Sequence, residues 1–231
     1  MKMKKVRLIL CAVMITAMMV TSCGEGTSVK TSSSNEESTS NEKLSYNEVT
    51  IGKQVWMTEN LNVDKFRNGD LIPEVKTHVE WEKAGENKQP AWCYYNNEPN
   101  NGKIYGKLYN WYAVNDTRGL APKGWHIPSE KEWVYLYDYL GGQITASNKL
   151  KSTNGWNDNG YATNESGFSG LPGGARSPEG KFYNIGDISY WWSSSEGRWG
   201  QAIYRDLGFS DVGIDYIMFK ESGLSVRCIK D

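Results

Sequence analysis

Histidine is almost missing: His78 and His126 are the only 2 in 231 residues. A metal site or a catalytic base built on imidazole has little to draw on. No Gly-x-Ser-x-Gly elbow occurs, which removes the usual strand–turn–helix arrangement of a serine hydrolase. A basic excess is also missing, since 26 Lys and Arg stand against 27 Asp and Glu, a formal charge of −1. Nucleic-acid binders carry a positive footprint, so that class is set aside. Beyond the first twenty residues there is no long apolar run. With a mean hydropathy of −0.62 this excludes a polytopic membrane protein. What is present in excess is aromatic: 10 Trp, 14 Tyr and 5 Phe, alongside 24 Gly, in a polar chain.

The first residues read as an address. Lys2, Lys4, Lys5 and Arg7 precede an apolar stretch over 8–20 that is too short to span a bilayer as a helix. It ends in Val20-Thr21-Ser22-Cys23, which resembles the lipobox of bacterial lipoproteins. Residues 1–22 are thus expected to be a signal peptide and Cys23 the acceptor of a lipid. An uncleaved anchor is the alternative. Acyl chains contribute about 0.8 kcal/mol per buried methylene, enough when several are attached to hold a protein on a membrane. Residues 23–45 carry no aromatic side chain and little that is apolar, so they read as a flexible tether. Every aromatic falls in 46–231, which marks one globular domain. Loss of the four leader cations leaves an acidic chain, soluble beside an anionic envelope.

Of 4 cysteines, Cys11 leaves with the leader and Cys23 takes the lipid, so Cys93 and Cys228 remain. An even pair in an exported protein favours a disulfide, worth roughly 4–5 kcal/mol for so long a loop. The alternative is two free thiols buried in an aromatic core.

Periodicity gives a coarse outline. Val49-Thr50-Ile51 and Gln54-Val55-Trp56-Met57 flank Gly52-Lys53 as a hairpin. Residues 63–104 read as mostly loop, with a short strand near 92–95. Tyr105, Leu108, Tyr109, Tyr112 and Ala113 follow helical spacing. Ser129 and Glu132 form a capping box ahead of a stripe of Trp133, Leu136, Tyr137 and Leu140, closed by Gly141-Gly142. Glu130 and Glu132 are therefore expected to cap a helix rather than to act as an acid–base pair. His126, between Trp125 and Ile127, reads as a packed residue. Residues 151–200 show little periodicity and form a long irregular region, where function tends to sit. Strands return over 202–207, 215–219 and 224–229.

Several strings point further. They are Tyr105-Gly106-Lys107-Leu108-Tyr109-Asn110-Trp111-Tyr112-Ala113-Val114, Pro122-Lys123-Gly124-Trp125-His126-Ile127-Pro128-Ser129, Leu171-Pro172-Gly173-Gly174 with Arg176, Tyr190-Trp191-Trp192-Ser193-Ser194, and Ser225-Val226-Arg227-Cys228. Together, over about 48–230, they resemble the Fibrobacter succinogenes major paralogous domain of exported bacterial proteins. Ala121 departs from the cysteine expected there. A more distant likeness is to the C-type-lectin-like fold and its formylglycine-generating-enzyme branch. That resemblance implies an α+β domain with two short helices, small antiparallel sheets and a long irregular loop region. It implies a last strand lying beside the first, and it also suggests Cys93 with Cys228 as a pair. The enzyme branch needs two closely spaced cysteines near its C-terminus. Cys228 stands alone there, so that oxidase chemistry does not transfer.

Glu98-Pro99-Asn100 and Trp156-Asn157-Asp158 match the calcium-and-sugar tripeptides of lectins. Their order and spacing do not, so they read first as a turn and a loop tryptophan, with calcium as the alternative. The function expected is a lipid-anchored, non-catalytic binding or adhesion module of the cell envelope. It would hold a glycan or a protein through Trp156, Asn157, Asp158, Arg198 and Trp199 in the 151–200 loops. A structural surface protein, or a carboxylate-based hydrolase, are the alternatives. No metal or other cofactor is expected.

Overall fold

A computed structural model describes residues 45–158, 161–208 and 217–231. The leader, the tether and Cys23 lie outside the described residues. The domain mixes helices with small, mostly antiparallel sheets. No helix among the described residues is long and apolar enough to cross a membrane.

The hairpin read from 49–57 forms β1 (Glu48–Ile51) and β2 (Gln54–Met57), paired antiparallel around Gly52 at φ +62°. Any Cβ there would also strike the Tyr135 hydroxyl at 2.7 Å, so the turn admits glycine for two reasons. Two late arrivals complete the sheet in the order β1-β2-β11-β5, with β5 at Trp125–His126 and β11 at Ile229–Lys230. The last strand lies beside β2, the second strand of the first hairpin, and not beside β1 as the resemblance implied.

Helix α4 (Glu130–Tyr139) carries the expected capping box: Ser129 accepts from the Glu132 N–H and Glu132 reaches back to the Ser129 N–H. Trp133 and Leu136 point inward, and α5 (Gln143–Leu150) follows after the two glycines. Their apolar faces meet an aromatic cluster. Trp56 and Trp133 stand 4.8 Å apart, with Phe168 and Trp191 within 6.1 Å of Trp133. Such pairs are worth about 0.5–1.5 kcal/mol each beyond the area they bury.

Elsewhere the sequence-based outline needs correction. The run over 105–113 is not one helix. Helix α2 (Pro99–Tyr105) ends at Gly106 in a positive-φ conformation, strand β4 (Leu108–Tyr109) pairs with β3 (Trp92–Cys93), and α3 (Trp111–Val114) starts afresh at an Asn110 cap. The stretch 63–104 also holds α1 (His78–Glu86), capped by Thr77 and Glu80, so five helices stand among the described residues where two were expected.

The region 151–200 is not a long irregular loop. It supplies β6 (Gly173–Arg176), β7 (Phe182–Ile185) and β8 (Ser189–Glu196). With β9 (Gln201–Leu207) and β10 (Ile217–Phe219) they form the largest sheet, ordered β10-β9-β8-β6-β7. Residues 223–225 bridge this sheet to β4, since Leu224 meets Tyr109 while Gly223 and Ser225 meet Arg176 and Trp191.

Two arginines lock these layers. Arg176, fully buried at the end of β6, donates from Nε to Gly180 O and from its Nη atoms to the carbonyls of Val75, Lys76 and Thr77. Its guanidinium lies 4.5 Å from the Trp81 ring. Arg227, 1% exposed, donates to Met57 O, Phe168 O and Asn60 Oδ1, and sits 4.4 Å over Phe168. A guanidinium spread over carbonyls and ring faces is held without a carboxylate.

Candidate functional site

The residues expected to bind ligand do not form one site. Trp156 is 8% exposed, packed in the Trp56–Trp133 cluster, with Nε1 donating to Gly170 O at 3.2 Å. It cannot stack on a sugar, which corrects its assignment. Lys151, buried with its Nζ donating to Gly208 O, lies 5.0 Å from the centre of the same ring. Asn157 is exposed but tied by its N–H to Gly186 O and by Nδ2 to Asp187 Oδ1. Asp158 is exposed beside it. Arg198 and Trp199 instead occupy the turn between β8 and β9. Asp187 precedes β8 and Trp199 follows it, so an eight-residue strand, roughly 25 Å long, parts the two groups. Trp199 is 84% exposed at φ +52°, with the Arg198 guanidinium 5.7 Å from its ring.

The Cys93–Cys228 disulfide is likewise corrected, because both are buried free cysteines. Cys93 lies in the small cluster around Trp81 and Tyr95, and Cys228 in the main core with Tyr109 and Trp125. Different layers receive them. Burial pushes both thiols up to about 12, although Arg176 beside Cys93 and Arg227 beside Cys228 pull the other way. Neither has the thiolate character needed for reaction.

His126 is not simply packed. Its Nε2 lies 2.8 Å from Glu132 Oε1 and its Nδ1 2.8 Å from Asp231 Oδ1. Burial alone would lower its pKa, but the two carboxylates outweigh that and raise it. Glu132 is lowered: burial pushes up, while the Ser129 N–H and hydroxyl and His126 pull further down. The His126 ring, held between two carboxylates, binds the start of α4 to the end of the sheet. A general base needs an unpaired ring nitrogen near a nucleophile, and both nitrogens here face carboxylate. Among the described residues no group of three His, Cys, Asp or Glu side chains could hold a metal ion.

A broad concavity lies elsewhere among the described residues. A cleft of about 580 Å³ opens between the strip 57–67, entered from Tyr46, and the strip 120–123. Its floor is apolar, with Met57, Phe66, Leu120 and Ala121 all buried. Tyr46 forms one side, half-buried and edge-on to Trp125 at 6.0 Å. Burial raises the Tyr46 hydroxyl, with Cys228 adding to the effect, so it stays a protonated donor. Glu59, Asp64, Lys65 and Lys123 stand exposed around the mouth.

Arg67 ties the two strips together. Its Nε donates to Ala121 O at 3.1 Å, its Nη2 to Trp125 O at 3.1 Å, and its backbone N–H to Gly119 O at 2.8 Å. Arg118, paired with Asp116 and Asp70, rests 4.1 Å from the Phe66 ring and fixes the floor. An apolar floor with polar groups of both signs at the mouth can hold and orient a ligand without transforming it.

Residues 49–230 match the description of the Fibrobacter succinogenes major domain. The chain belongs to that family. No curated protein and no solved structure matches it. Within this Fibrobacter succinogenes major domain, both strips of the cleft fall inside the matched span, with only Tyr46 and Asn47 before it. Neither wall of the cleft was read as a site from the sequence, although Pro122 and Lys123 belong to a motif that carries the resemblance. The strip 57–67 was missed because it has no periodicity of either kind. The two buried arginines that close the Gly-Gly-x-Arg and Ser-Val-Arg motifs left no signal beyond their presence in those strings.

Proposed function

We propose that this protein is a lipid-anchored binding module of the bacterial cell envelope, tethered through Cys23, whose ligand lies in the cleft between residues 57–67 and 120–123. The observation that carries the reading is the cleft itself, wide enough for a sugar or a short peptide segment. Its apolar floor supplies the burial and its charged mouth the orientation. The leader, lipobox and polar tether support the anchor, and the acidic mature chain suits life on an anionic surface. A C-type-lectin-like fold is supported by β11 lying between β2 and β5 and by α4 opening directly after the Trp125–Ser129 run.

A second reading moves the contact to the turn between β8 and β9. A bulky residue at positive φ costs on the order of 1 kcal/mol or more, and Trp199 accepts it while holding its ring in solvent. Stacking on a sugar face would use that ring.

The test is a glycan array and a peptide pull-down with three proteins: wild type, Asp64→Ala/Lys65→Ala/Lys123→Ala, and Trp199→Ala. Loss of a wild-type ligand by at least tenfold in the triple variant, with Trp199→Ala unchanged, supports the cleft. Loss in Trp199→Ala alone transfers the site to the turn. Stable co-purification of an envelope protein that neither variant disturbs overturns both in favour of an assembly role.

A further inference from the structure

Arg227 is a buried cation without an anionic partner. Of the five N–H groups on a guanidinium, Nη1 uses two, on Met57 O at 3.1 Å and Phe168 O at 2.7 Å. Nε and one Nη2 hydrogen both go to Asn60 Oδ1, at 3.0 and 2.8 Å. That oxygen also accepts from Trp191 Nε1 at 2.8 Å. Three donors therefore share one amide oxygen, which has two lone pairs. One Nη2 hydrogen of Arg227 has no acceptor among the described residues. Arg176 makes the contrast plain, since its four donations go to four separate carbonyl oxygens.

Arg227 lines a small pocket of about 100 Å³ that also contains Thr58, Lys103 and Ser169, and that shares Glu59, Asn60 and Asn62 with the large cleft. The Lys103 ammonium, in the last turn of α2, spends one donor on Asn100 Oδ1 at 3.3 Å and keeps two more. Lysine and arginine against one glutamate leave this pocket a single positive charge. The space suits a group of three or four heavy atoms rather than a ring.

We infer that the pocket over Arg227 is a subsite for one carboxylate group, carried by a ligand whose body lies in the adjoining cleft. The free Nη2–H of Arg227 and the Lys103 ammonium would each donate to a carboxylate oxygen, with the Thr58 hydroxyl at the rim. Glu59 at the shared wall disfavours a dianion, which sets carboxylate ahead of phosphate. The inference rests on the cleft reading and narrows it to acidic ligands, either a uronic-acid sugar or a peptide C-terminus.

The test titrates the full chain with sodium glucuronate, N-acetyl-alanine, methyl glucoside and inorganic phosphate, following the Arg227 Nε–H and Trp191 Nε1–H resonances by NMR. Saturable shifts with glucuronate or N-acetyl-alanine, absent with methyl glucoside, are expected. Lys103→Glu should weaken them at least tenfold at unchanged Tm, since Lys103 is exposed and makes no core contact. Arg227→Lys should abolish them if it folds, and the Lys103 variant decides the matter if it does not. Tighter glucuronate points to an acidic sugar, tighter N-acetyl-alanine to a peptide end. No saturation with either, tighter phosphate, or indifference to Lys103→Glu overturns the assignment. The two proposals separate cleanly. A cleft ligand lost in the mouth variant with no carboxylate bound leaves the cleft standing alone. Carboxylate binding that persists while the mouth variant changes nothing leaves the pocket standing alone.

Discussion

Residues 151–200 and the strips 57–67 and 120–123 differ in the opposite sense from their compositions. The 151–200 region is rich in Gly, Ser and Asn yet contributes three strands, a buried Trp156 and the buried Arg176. The two strips have the character of ordinary connector sequence and enclose the cleft of about 580 Å³. The lesson is that small polar residues in this chain serve close packing. Gly170 has the Leu150 carbonyl and the Trp191 ring 3.1 Å from where a Cβ would stand, and Gly174 has the Tyr183 carbonyl at 2.6 Å. Openness arises instead where two loops are joined through one long side chain, Arg67.

The comparison can be broken most forcefully at Trp156. Trp156→Ala should cost about 3–5 kcal/mol, as buried tryptophans do, and chemical denaturation would read it. A cost under about 1 kcal/mol would mean that the region is as loose as its composition suggests. Next comes Arg67→Ala, which removes the tie between the cleft walls. It should cost about 1–2 kcal/mol and raise amide exchange at Gly119 and Trp125. Protection unchanged at those amides would show that the cleft is held by something else.

A smaller effect belongs to the clamp at His126. Its pKa is raised above the ordinary 6.5, so the stability it contributes is fully present below that value. It fades as pH rises through the folded-state pKa. Glu132 is lowered from 4.5, so its share is present above that value and is lost as pH falls through the folded-state pKa. His126→Gln should therefore lower Tm most near pH 5–6 and least above pH 8. The ring's partial exposure screens the pair and holds the effect to under about 1 kcal/mol. A Tm difference that grows with pH would contradict the clamp. The smallest change is expected for Trp199→Ala, within about 0.5 kcal/mol, because 84% of that residue is in solvent. Set beside Trp156→Ala, it separates the two tryptophans that the sequence places in one class.

Several elements were legible before the structure because their signals are local. The Gly52-Lys53 hairpin and the Ser129–Glu132 box each need only a few neighbouring residues. Trp125, Trp133, Trp191 and Trp192 were readable as core from hydrophobicity alone. Helix α1 has a capping box of the same kind at Thr77 and Glu80. It escaped notice because only Trp81, Ala84 and Gly85 of its nine residues are buried. The 105–113 stretch misled by coincidence: Leu108 and Tyr109 face the core as strand residues, and the break at Gly106 is conformational. The site was less legible than the fold. Cleft walls are defined by separation between loops, and a chain reads as one line. Partners 60 and 227, or 67 and 121, come together only through sheets that neither segment announces.

One topological detail bears on how the protein reaches this state. Ile229 in β11 pairs with Trp56 on one side and His126 on the other, while β2 and β5 share no hydrogen bond of their own. Until that segment docks, the sheet exists as two pieces with exposed edges, joined by contacts spanning a hundred or more positions. Closure over such distances is slow, and open edges invite pairing with other chains. Refolding should therefore be sensitive to protein concentration, with yield limited by the time β11 takes to arrive.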